Sequence, residues 1–200
     1  KGGDCMVALQ GNGILNVMNR RGKMYPGFPI DLRAQVTGDI IVDIGNDFNS
    51  TRLITVSDEG ELIEVNLNGK VVNREQLYKP SKESKFWLVI DALGKTYVIA
   101  RQEYNKISIL NRKGEPVMEK NMIYSGDLFV QYYNFSTDNQ IIAMTDKEQE
   151  FTYVFDKKSQ PITFGPSEGS HPIGLLYSSK QKEYLLYKCF GNNFTIESFK

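Results

Sequence analysis

The chain has 200 residues, of which 40% are apolar and 12% aromatic, and its 24 basic residues balance its 24 acidic ones. This length suffices for one folded domain with a sizeable core, and no apolar run is long enough to span a bilayer. Because Lys and Arg show neither excess nor clustering, we predict no nucleic-acid partner.

The first two apolar runs of the chain, 6–9 and 14–18, are short and are separated by a polar loop. The second run leads into the turn Asn19-Arg-Arg-Gly22. An Asn at the first position accepts a hydrogen bond from a backbone N–H two residues on, and a Gly three positions later adopts the positive φ that closes a hairpin. We therefore predict a pair of antiparallel strands followed by a hairpin turn.

The same turn recurs along the chain at nearly constant intervals. It returns at Asn66–Gly69, at Asn111–Gly114 and, without its glycine, at Asp156–Ser159, in steps of 47, 45 and 45 residues. A repeat of this length built from short strands is typical of a β-propeller blade. The predicted structural turn residues are Asn19, Gly22, Asn66, Gly69, Asn111, Gly114 and Asp156.

Apolar runs around these turns predict four strands per repeat. The first run of a repeat is nearly continuous in hydrophobic residues, so we interpret it as an innermost strand buried on both faces. The segment after the turn is polar and contains proline, as expected of an outermost edge strand. The predicted innermost strands are 40–43, 86–90, 128–133 and 173–177; the second strands are 6–9, 53–56, 97–100, 141–144 and 184–187; the third strands are 14–18, 62–65, 107–110, 151–155 and 194–199; the outermost strands include 71–77 and 116–122.

We predict an all-β fold, a β-propeller of about four to five four-stranded antiparallel blades, in one domain that spans 1–200. Because the first unit lacks an innermost strand and the last lacks an outermost one, we expect an incomplete or open arrangement whose ends contact a neighbour. The chain also begins without Met, so we expect a fragment of a longer protein with a domain upstream. The predicted repeat units are 1–35, 36–82, 83–124, 125–168 and 169–200.

Two aspartates, Asp43 and Asp91, occupy equivalent positions at the ends of two predicted innermost strands. A pair of carboxylates facing the centre could act as acid and nucleophile on a glycoside, with Trp87, Tyr133 and Tyr177 stacking on the sugar. The structural interpretation is that the aspartates cap strands or turns and that the aromatic residues belong to the core. We favour the structural interpretation and predict no catalytic residue.

A loop rich in Asp and Asn follows the first of these strands. Its oxygen-bearing residues Asp43, Asn46, Asp47 and Asn49 alternate as in loops that wrap calcium, an ion that takes about six to eight oxygen ligands. The alternation is imperfect, and no bidentate Glu closes the loop. An Asx-rich turn explains the same residues, so we predict no metal and keep calcium as the alternative.

Histidine and cysteine indicate no further chemistry. The single histidine, His171, precedes a proline in a loop, so we predict neither a catalytic base nor a zinc site. Cys5 and Cys189 lie in the first and last units, where a ring could bring them together, although separate thiols are the favoured interpretation. We predict no cofactor.

Two segments resemble known repeats. Gly60-Glu-Leu-Ile-Glu-Val-Asn-Leu-Asn-Gly69-Lys resembles the repeat of quinoprotein-like propellers, in which a Gly-x-Leu-x-x-Leu/Val strand leads to an Asx-x-x-Gly-Lys turn. The Trp that usually follows that turn is absent here. The segment 22–32, with Gly-Lys, Pro-Gly-Phe-Pro and x-Asp-Leu, is similar to the carboxy-terminal propeller-like region of large membrane-anchored bacterial proteins of unknown function and to integrin-like repeats. In the integrin-like repeats, 43–51 would correspond to the calcium loop. The resemblance implies an exported, non-catalytic module.

The function that we expect is that of a non-catalytic protein-binding or scaffold module in a bacterial cell-envelope protein, located in the periplasm or elsewhere outside the cytoplasm. Its rigid blades would present loops and exposed aromatic residues to a protein partner. The alternative is a carbohydrate-binding or glycoside-hydrolysing propeller that uses the central carboxylate pair. An open, polar central pocket would favour the alternative, and packed, dry side chains would favour the module.

Overall fold

The computed structural model describes residues 5–124, 126, 128–163 and 165–200. In this part of the chain there is no helix, and 18 strands form five antiparallel sheets that follow one another in chain order. Three sheets have four strands, and the first and last have three. Within the described ranges, therefore, nothing forms a helix that could cross a membrane.

The strands are grouped into the sheets as follows. The first sheet contains β1 (Cys5–Leu9), β2 (Ile14–Asn19) and β3 (Ile30–Asp31). The second contains β4 (Ile41–Asp43), β5 (Arg52–Val56), β6 (Glu61–Asn66) and β7 (Val71–Gln76). The third contains β8 (Ser84–Ile90), β9 (Tyr97–Glu103), β10 (Lys106–Leu110) and β11 (Pro116–Asn121). The fourth contains β12 (Leu128–Ser136), β13 (Asn139–Asp146), β14 (Phe151–Asp156) and β15 (Ser167–Glu168), and the fifth β16 (Gly174–Ser178), β17 (Glu183–Phe190) and β18 (Asn193–Phe199).

Strands that follow each other in sequence lie side by side in every sheet and pair antiparallel. In the third sheet, for example, Trp87 faces Ala100 across β8 and β9, and Ser108 faces Arg101 across β10 and β9. Of the described strands, β1 and β18 pair only within their own sheets, so no strand pairing joins the first sheet to the last. The predicted all-β, propeller-like fold is confirmed, in an open arrangement of sheets.

The recurring turns share one geometry. In the first, the Asn19 side-chain Oδ1 accepts hydrogen bonds from the N–H groups of Arg21 and Lys23, at 2.9 and 3.1 Å. The same two bonds, to the residues two and four positions on, form at the turns that begin with Asn66, Asn111 and Asp156. Gly22 has φ of 74°, and Ser159, which replaces the glycine in the fourth turn, has φ of 64°. The aspartate network thus holds a non-glycine residue in the left-handed conformation.

A separate hydrophobic cluster lies between each pair of consecutive sheets. The first cluster includes Leu15, Val17, Leu53, Ile63 and Val65; the second Ile54, Leu62, Phe86, Leu88 and Ile99; the third Val89, Ala100, Ile109, Ile142 and Met144; and the fourth Ile141, Ala143, Val154, Leu175 and Leu186. Among the described residues, no such cluster joins the fifth sheet to the first. The core is therefore a series of interfaces between neighbouring sheets.

Burial along the strands corrects one prediction. The middle strands β5, β9, β10 and β13 are largely buried, because successive residues pack towards opposite neighbouring sheets. In β9, Ile99 packs towards the second sheet and Ala100 towards the fourth. The predicted innermost strands 40–43, 86–90, 128–133 and 173–177 are only partly buried. Successive side chains of a strand point to opposite faces of the sheet, and some of those on the innermost strands, such as Phe129, remain exposed.

Candidate binding groove

An open groove lies beside the innermost strands of the third and fourth sheets. Its first part, of about 440 Å³, is lined by 37–39, by 87–90 with Ala92, and by 129–133. A second part, of about 430 Å³, shares Thr37, Trp87 and Phe129 with the first and extends towards Lys85, Gln102 and Leu128. Since the two parts share three lining residues, we treat them as one groove and call it the inner groove.

The segment 37–39, which lies between the first and second sheets in sequence, forms one wall of the inner groove. A Cβ atom placed on Gly38 would lie 2.7 Å from the backbone nitrogen of Leu88, so only glycine allows this segment to approach β8 so closely. The Thr37 hydroxyl donates a hydrogen bond to the Phe86 carbonyl at 3.5 Å. The segment is therefore held against β8 over three residues.

Asp91 follows β8 and connects the third sheet to the fourth. It is 4% exposed, and its carboxylate accepts hydrogen bonds from the N–H groups of Asn134 at 3.0 Å and Leu93 at 3.3 Å. The N–H of Ala92 donates to the Tyr132 carbonyl at 3.1 Å, and Asp91 forms a parallel bridge with Tyr132. Asp91 thus fixes the position of β8 against β12 at one end of the inner groove.

Asp43 ends β4 and faces an arginine of the neighbouring sheet. Its carboxylate lies 3.8 Å from the guanidinium of Arg112, which also donates a hydrogen bond to the Thr96 hydroxyl at 3.2 Å. The guanidinium carbon lies 4.8 Å from the centre of the Tyr97 ring, a cation–π distance. Burial raises the pKa of the Tyr97 phenol. Among the described residues, the lining of the inner groove does not include Asp43.

The aromatic candidates divide between two places. Trp87 is half-buried in the inner groove, and Tyr133 lies along the same groove with its hydroxyl donating to the Ile173 carbonyl at 2.5 Å. Burial raises the pKa of Tyr133 to about 12. Tyr177 packs against Tyr184, with ring centres 4.8 Å apart, and against Phe135, whose ring also stacks on Tyr133. Trp87 and Tyr133 therefore line the inner groove, whereas Tyr177 lies outside its described lining and is connected to Tyr133 through Phe135.

The loop that was the calcium candidate is held by internal hydrogen bonds. The Asp47 carboxylate accepts from both the N–H and the hydroxyl of Ser50, each at 2.8 Å, and these bonds lower the pKa of Asp47. The Arg52 guanidinium donates to the Asn49 carbonyl, and Asn46 is exposed. Within the described ranges, no three His, Cys, Asp or Glu side chains form a group that could hold a metal ion.

Cysteine and histidine lie at the surface. Cys5 and Cys189 are both exposed, on the first and fifth sheets, and neither is in a disulfide. The Nδ1 atom of His171 lies 3.0 Å from the hydroxyl of Ser170, in an exposed loop. These side chains lie outside the described lining of the inner groove.

Sequence reasoning missed Phe129, Tyr132 and the wall 37–39, because their juxtaposition depends on which sheets become neighbours. It also missed Arg112, although the repeat carries a signal for it. The second position of the turn is basic in three of the four copies, including Lys157. Arg112 and Lys157 both reach the loop between the first two strands of their own sheet, Lys157 through an ion pair with Asp138 at 2.7 Å.

Comparisons with known proteins identify the fold class only. No family model and no curated protein sequence matches the chain. Among solved structures, a protein of unknown function from Bacteroides caccae is 10% identical with a TM-score of 0.55, over 96% of this chain and 67% of that one. BBS1N in complex with ARL6DN is 14% identical with a TM-score of 0.54, over 98% and 60%. BamB from Moraxella catarrhalis is 10% identical with a TM-score of 0.50, over 100% and 68%.

These similarities define a propeller-like protein and nothing narrower, since identities of 10–14% show the fold alone. The chain spans only 60–68% of the length of these three structures.

Proposed function

We propose that the chain is a non-catalytic protein-binding or scaffold module whose partner binds in the inner groove. The observation that carries the proposal is the open groove with two aromatic residues, Trp87 and Phe129, common to both of its parts. The centres of protein interfaces are rich in aromatic side chains, which bury a large area at a small cost in conformational entropy. BBS1N, which shares the fold, binds the protein ARL6DN.

Binding is favoured over catalysis by the contacts of the two carboxylates. A general acid or nucleophile must reach the reacting atoms of its substrate. Asp91 is buried and accepts two backbone hydrogen bonds, and Asp43 faces Arg112 on another part of the surface. Within the described lining of the inner groove there is neither Asp43 nor Asp91.

We further propose a bacterial cell envelope as the setting, outside the cytoplasm. The support is the similarity of 22–32 to the propeller-like region of membrane-anchored bacterial proteins, together with two bacterial proteins among the structures that share the fold. Fractionation of bacterial cells that carry the full-length protein tests this setting. Recovery in the cytoplasmic fraction alone would contradict it.

Site-specific photo-crosslinking tests the binding function. A photoreactive amino acid is introduced in place of Phe129, and in a separate variant in place of Phe194, which is 63% exposed on β18 and lies outside the described lining of the groove. We expect position 129 of the full-length protein to crosslink to a partner protein and position 194 to give no such adduct. A partner captured equally from both positions would contradict a specific site in the groove. A protein that co-purifies with no partner and crosslinks to none would contradict the module itself.

A carbohydrate-binding or glycoside-hydrolysing propeller is the second candidate. It is favoured by the lining itself, because Trp87 and Tyr133 are residue types that stack on sugar rings. Polysaccharides and aryl glycosides are assayed with the wild-type protein and with Asp43→Asn and Asp91→Asn. Turnover by the wild type that both variants lose would establish the enzyme and overturn the non-catalytic proposal.

A further inference from the structure

We propose that the inner groove binds an extended peptide segment of about five residues, with an apolar side chain at Trp87 and Phe129, an acidic residue near Lys85 and a basic residue near Asp39. The inference rests on the proposed function and deepens it, because it names the chemistry of the partner. The occupant is one segment of a protein chain in strand conformation.

The dimensions of the groove set the length of this segment. Strand β8 borders the groove from Lys85 to Ile90. An extended chain rises about 3.3 Å per residue, so this wall is about 17 Å long and accommodates about five residues of a strand. A single side chain or a small metabolite would occupy only part of that length.

The walls offer backbone groups that suit a peptide. Strands β8 and β12 each end a sheet and pair with one neighbouring strand. Part of the second edge of β8 is already used, because the Phe86 N–H donates to the Asp58 carbonyl at 3.2 Å and the Phe86 carbonyl accepts from the Thr37 hydroxyl at 3.5 Å. On β12, the Tyr132 carbonyl accepts the N–H of Ala92 at 3.1 Å. The rest of such a second edge carries backbone N–H and C=O groups that another extended chain can pair with.

The centre of the groove provides the apolar contact. Phe129 is 41% exposed, although it belongs to an innermost strand, and Trp87 packs partly against the cluster between the third and fourth sheets. Exposed aromatic side chains that line a groove are typical anchors for an apolar side chain of a partner. We therefore expect the apolar residue of the peptide to lie near the middle of the bound segment.

The polar side chains of the lining favour a peptide over a sugar. Gln131 is already engaged, because its amide accepts the N–H of Ile173 at 2.7 Å and donates to the carbonyl of the same residue at 2.9 Å. The Tyr133 hydroxyl donates to that carbonyl as well. Sugar hydroxyls require several side-chain hydrogen-bond partners. Gln131 and Tyr133 already form hydrogen bonds with the backbone of Ile173, which precedes β16.

Opposite charges mark the two ends of the groove. The segment 37–39 follows β8 in the same direction, with Thr37 beside Phe86 and Gly38 beside Leu88, so Asp39 lies towards the end of β8 and Lys85 towards its start. Only the first part of the groove includes Asp39, and only the second includes Lys85. Among the described residues, no ion pair is formed by either side chain. Complementary charges would fix the direction of a bound peptide.

A random heptapeptide display library tests the proposal, with selection on the wild-type protein and counter-selection on Phe129→Ala. We expect the enriched peptides to carry an aromatic or aliphatic residue between an acidic and a basic one. Synthetic peptides are then titrated against the fluorescence of Trp87, the single tryptophan of the chain. We expect Phe129→Ala to weaken binding of the best peptide about tenfold, which corresponds to the loss of one aromatic anchor.

Charge exchange provides the sharper control. Lys85→Glu should weaken binding of the selected peptide, and replacing the acidic residue of that peptide by lysine should restore it. Lys82→Glu is the matched control, because Lys82 is exposed in the loop before β8 and lies outside the described lining. Circular dichroism establishes that each variant is folded.

The inference would be overturned by enriched peptides without the charge pattern, by peptides that bind Phe129→Ala equally well, or by the absence of any enriched peptide. Saturable quenching of Trp87 by cellohexaose or chitohexaose in the absence of peptide binding would overturn it in favour of the carbohydrate alternative. If no peptide binds but position 129 still crosslinks to a protein, the binding function stands and the extended-peptide inference fails. The two failures are therefore distinguishable.

Discussion

Gly27 and Gly69 face each other across the boundary between the first and second sheets, with their backbones closer than any side chain permits. A Cβ atom on Gly69 would lie 2.2 Å from the Gly27 carbonyl oxygen, and one on Gly27 would lie 2.1 Å from the Asn68 carbonyl oxygen. Both residues have positive φ, 89° and 75°. The segment that follows the first hairpin turn therefore lies directly against the second turn. Position 69 requires glycine because its φ is positive and because a Cβ atom would clash with the backbone of Gly27.

Replacing Gly69 should destabilise the fold more than replacing Gly22, the equivalent glycine of the first turn. Gly69→Ala meets both the left-handed conformation and the backbone clash, so we expect a loss of about 3 kcal/mol in the free energy of unfolding. Gly22→Ala is the matched control: its φ is 74°, but nothing lies within 4 Å of the added Cβ, and we expect about 1 kcal/mol. Urea denaturation measures both, and equal losses would contradict the close approach of the two sheets.

The connection made by Asp91 leads to a second prediction. Asp91→Ala removes the acceptor of the N–H of Asn134, which is half-buried, and of the N–H of Leu93, so we expect a loss of about 2 kcal/mol. Asp138→Ala removes an aspartate whose side chain is 93% exposed and paired only with Lys157, and we expect less than about 1 kcal/mol. Thermal or urea unfolding checks the pair. If Asp91→Ala leaves the free energy of unfolding unchanged, this carboxylate does not hold the third and fourth sheets together.

The strands and turns were predictable because their signals are local. The Asn19 turn contains its own hydrogen-bond acceptor, and its 45–47-residue recurrence places every hairpin between third and outermost strands. Burial was harder to predict. A hydrophobic run such as 128–133 does not reveal whether its second face meets another sheet or a groove, and in the folded chain part of β12 faces the groove.

The candidate site was only partly predictable. Trp87 and Tyr133 were recognised as aromatic residues of innermost strands, and both line the inner groove. The partners of Asp91 were not predictable, since Asn134 is 43 residues away and contacts it only after two sheets have packed. The role of Gly38 depends likewise on the backbone of Leu88, 50 positions further along the chain.

Alkaline pH should destabilise the protein through Tyr133. Its pKa is raised to about 12 by burial, whereas an unfolded tyrosine titrates near 10, so the unfolded state loses this proton first. Stability contributed by the buried neutral phenol is complete below pH 10 and is lost as the pH rises from about 10 to 12, at up to about 1.4 kcal/mol per pH unit.

Urea unfolding at several pH values measures this slope in the wild type and in Tyr133→Phe. We expect the free energy of unfolding of Tyr133→Phe to fall less steeply with pH than that of the wild type. The difference in slope corresponds to at most one proton released on unfolding, even though the variant also loses the hydrogen bond from the hydroxyl to Ile173. Tyr104→Phe, at an exposed position, is the control for the loss of a tyrosine hydroxyl elsewhere in the chain. Identical slopes in all three proteins would mean that Tyr133 ionises as readily in the folded state as in the unfolded one.

Calcium should have no effect on stability. The Asp47 carboxylate is already occupied by Ser50, and a bound ion would have to displace those hydrogen bonds. We expect the Tm to be the same in millimolar calcium and in chelator, for the wild type and for Asp47→Ala alike. An increase of several degrees with calcium that Asp47→Ala abolishes would establish a metal site in the loop.

Acrylamide quenching of Trp87 tests the central claim most directly, because this is the only tryptophan and it lines the inner groove. The free protein should be quenched readily. Addition of the partner protein identified by crosslinking should lower the quenching constant to that of a buried tryptophan, and Phe129→Ala should abolish this protection at the same partner concentration. A quenching constant that stays the same when the wild-type protein is saturated with partner would contradict binding in the inner groove.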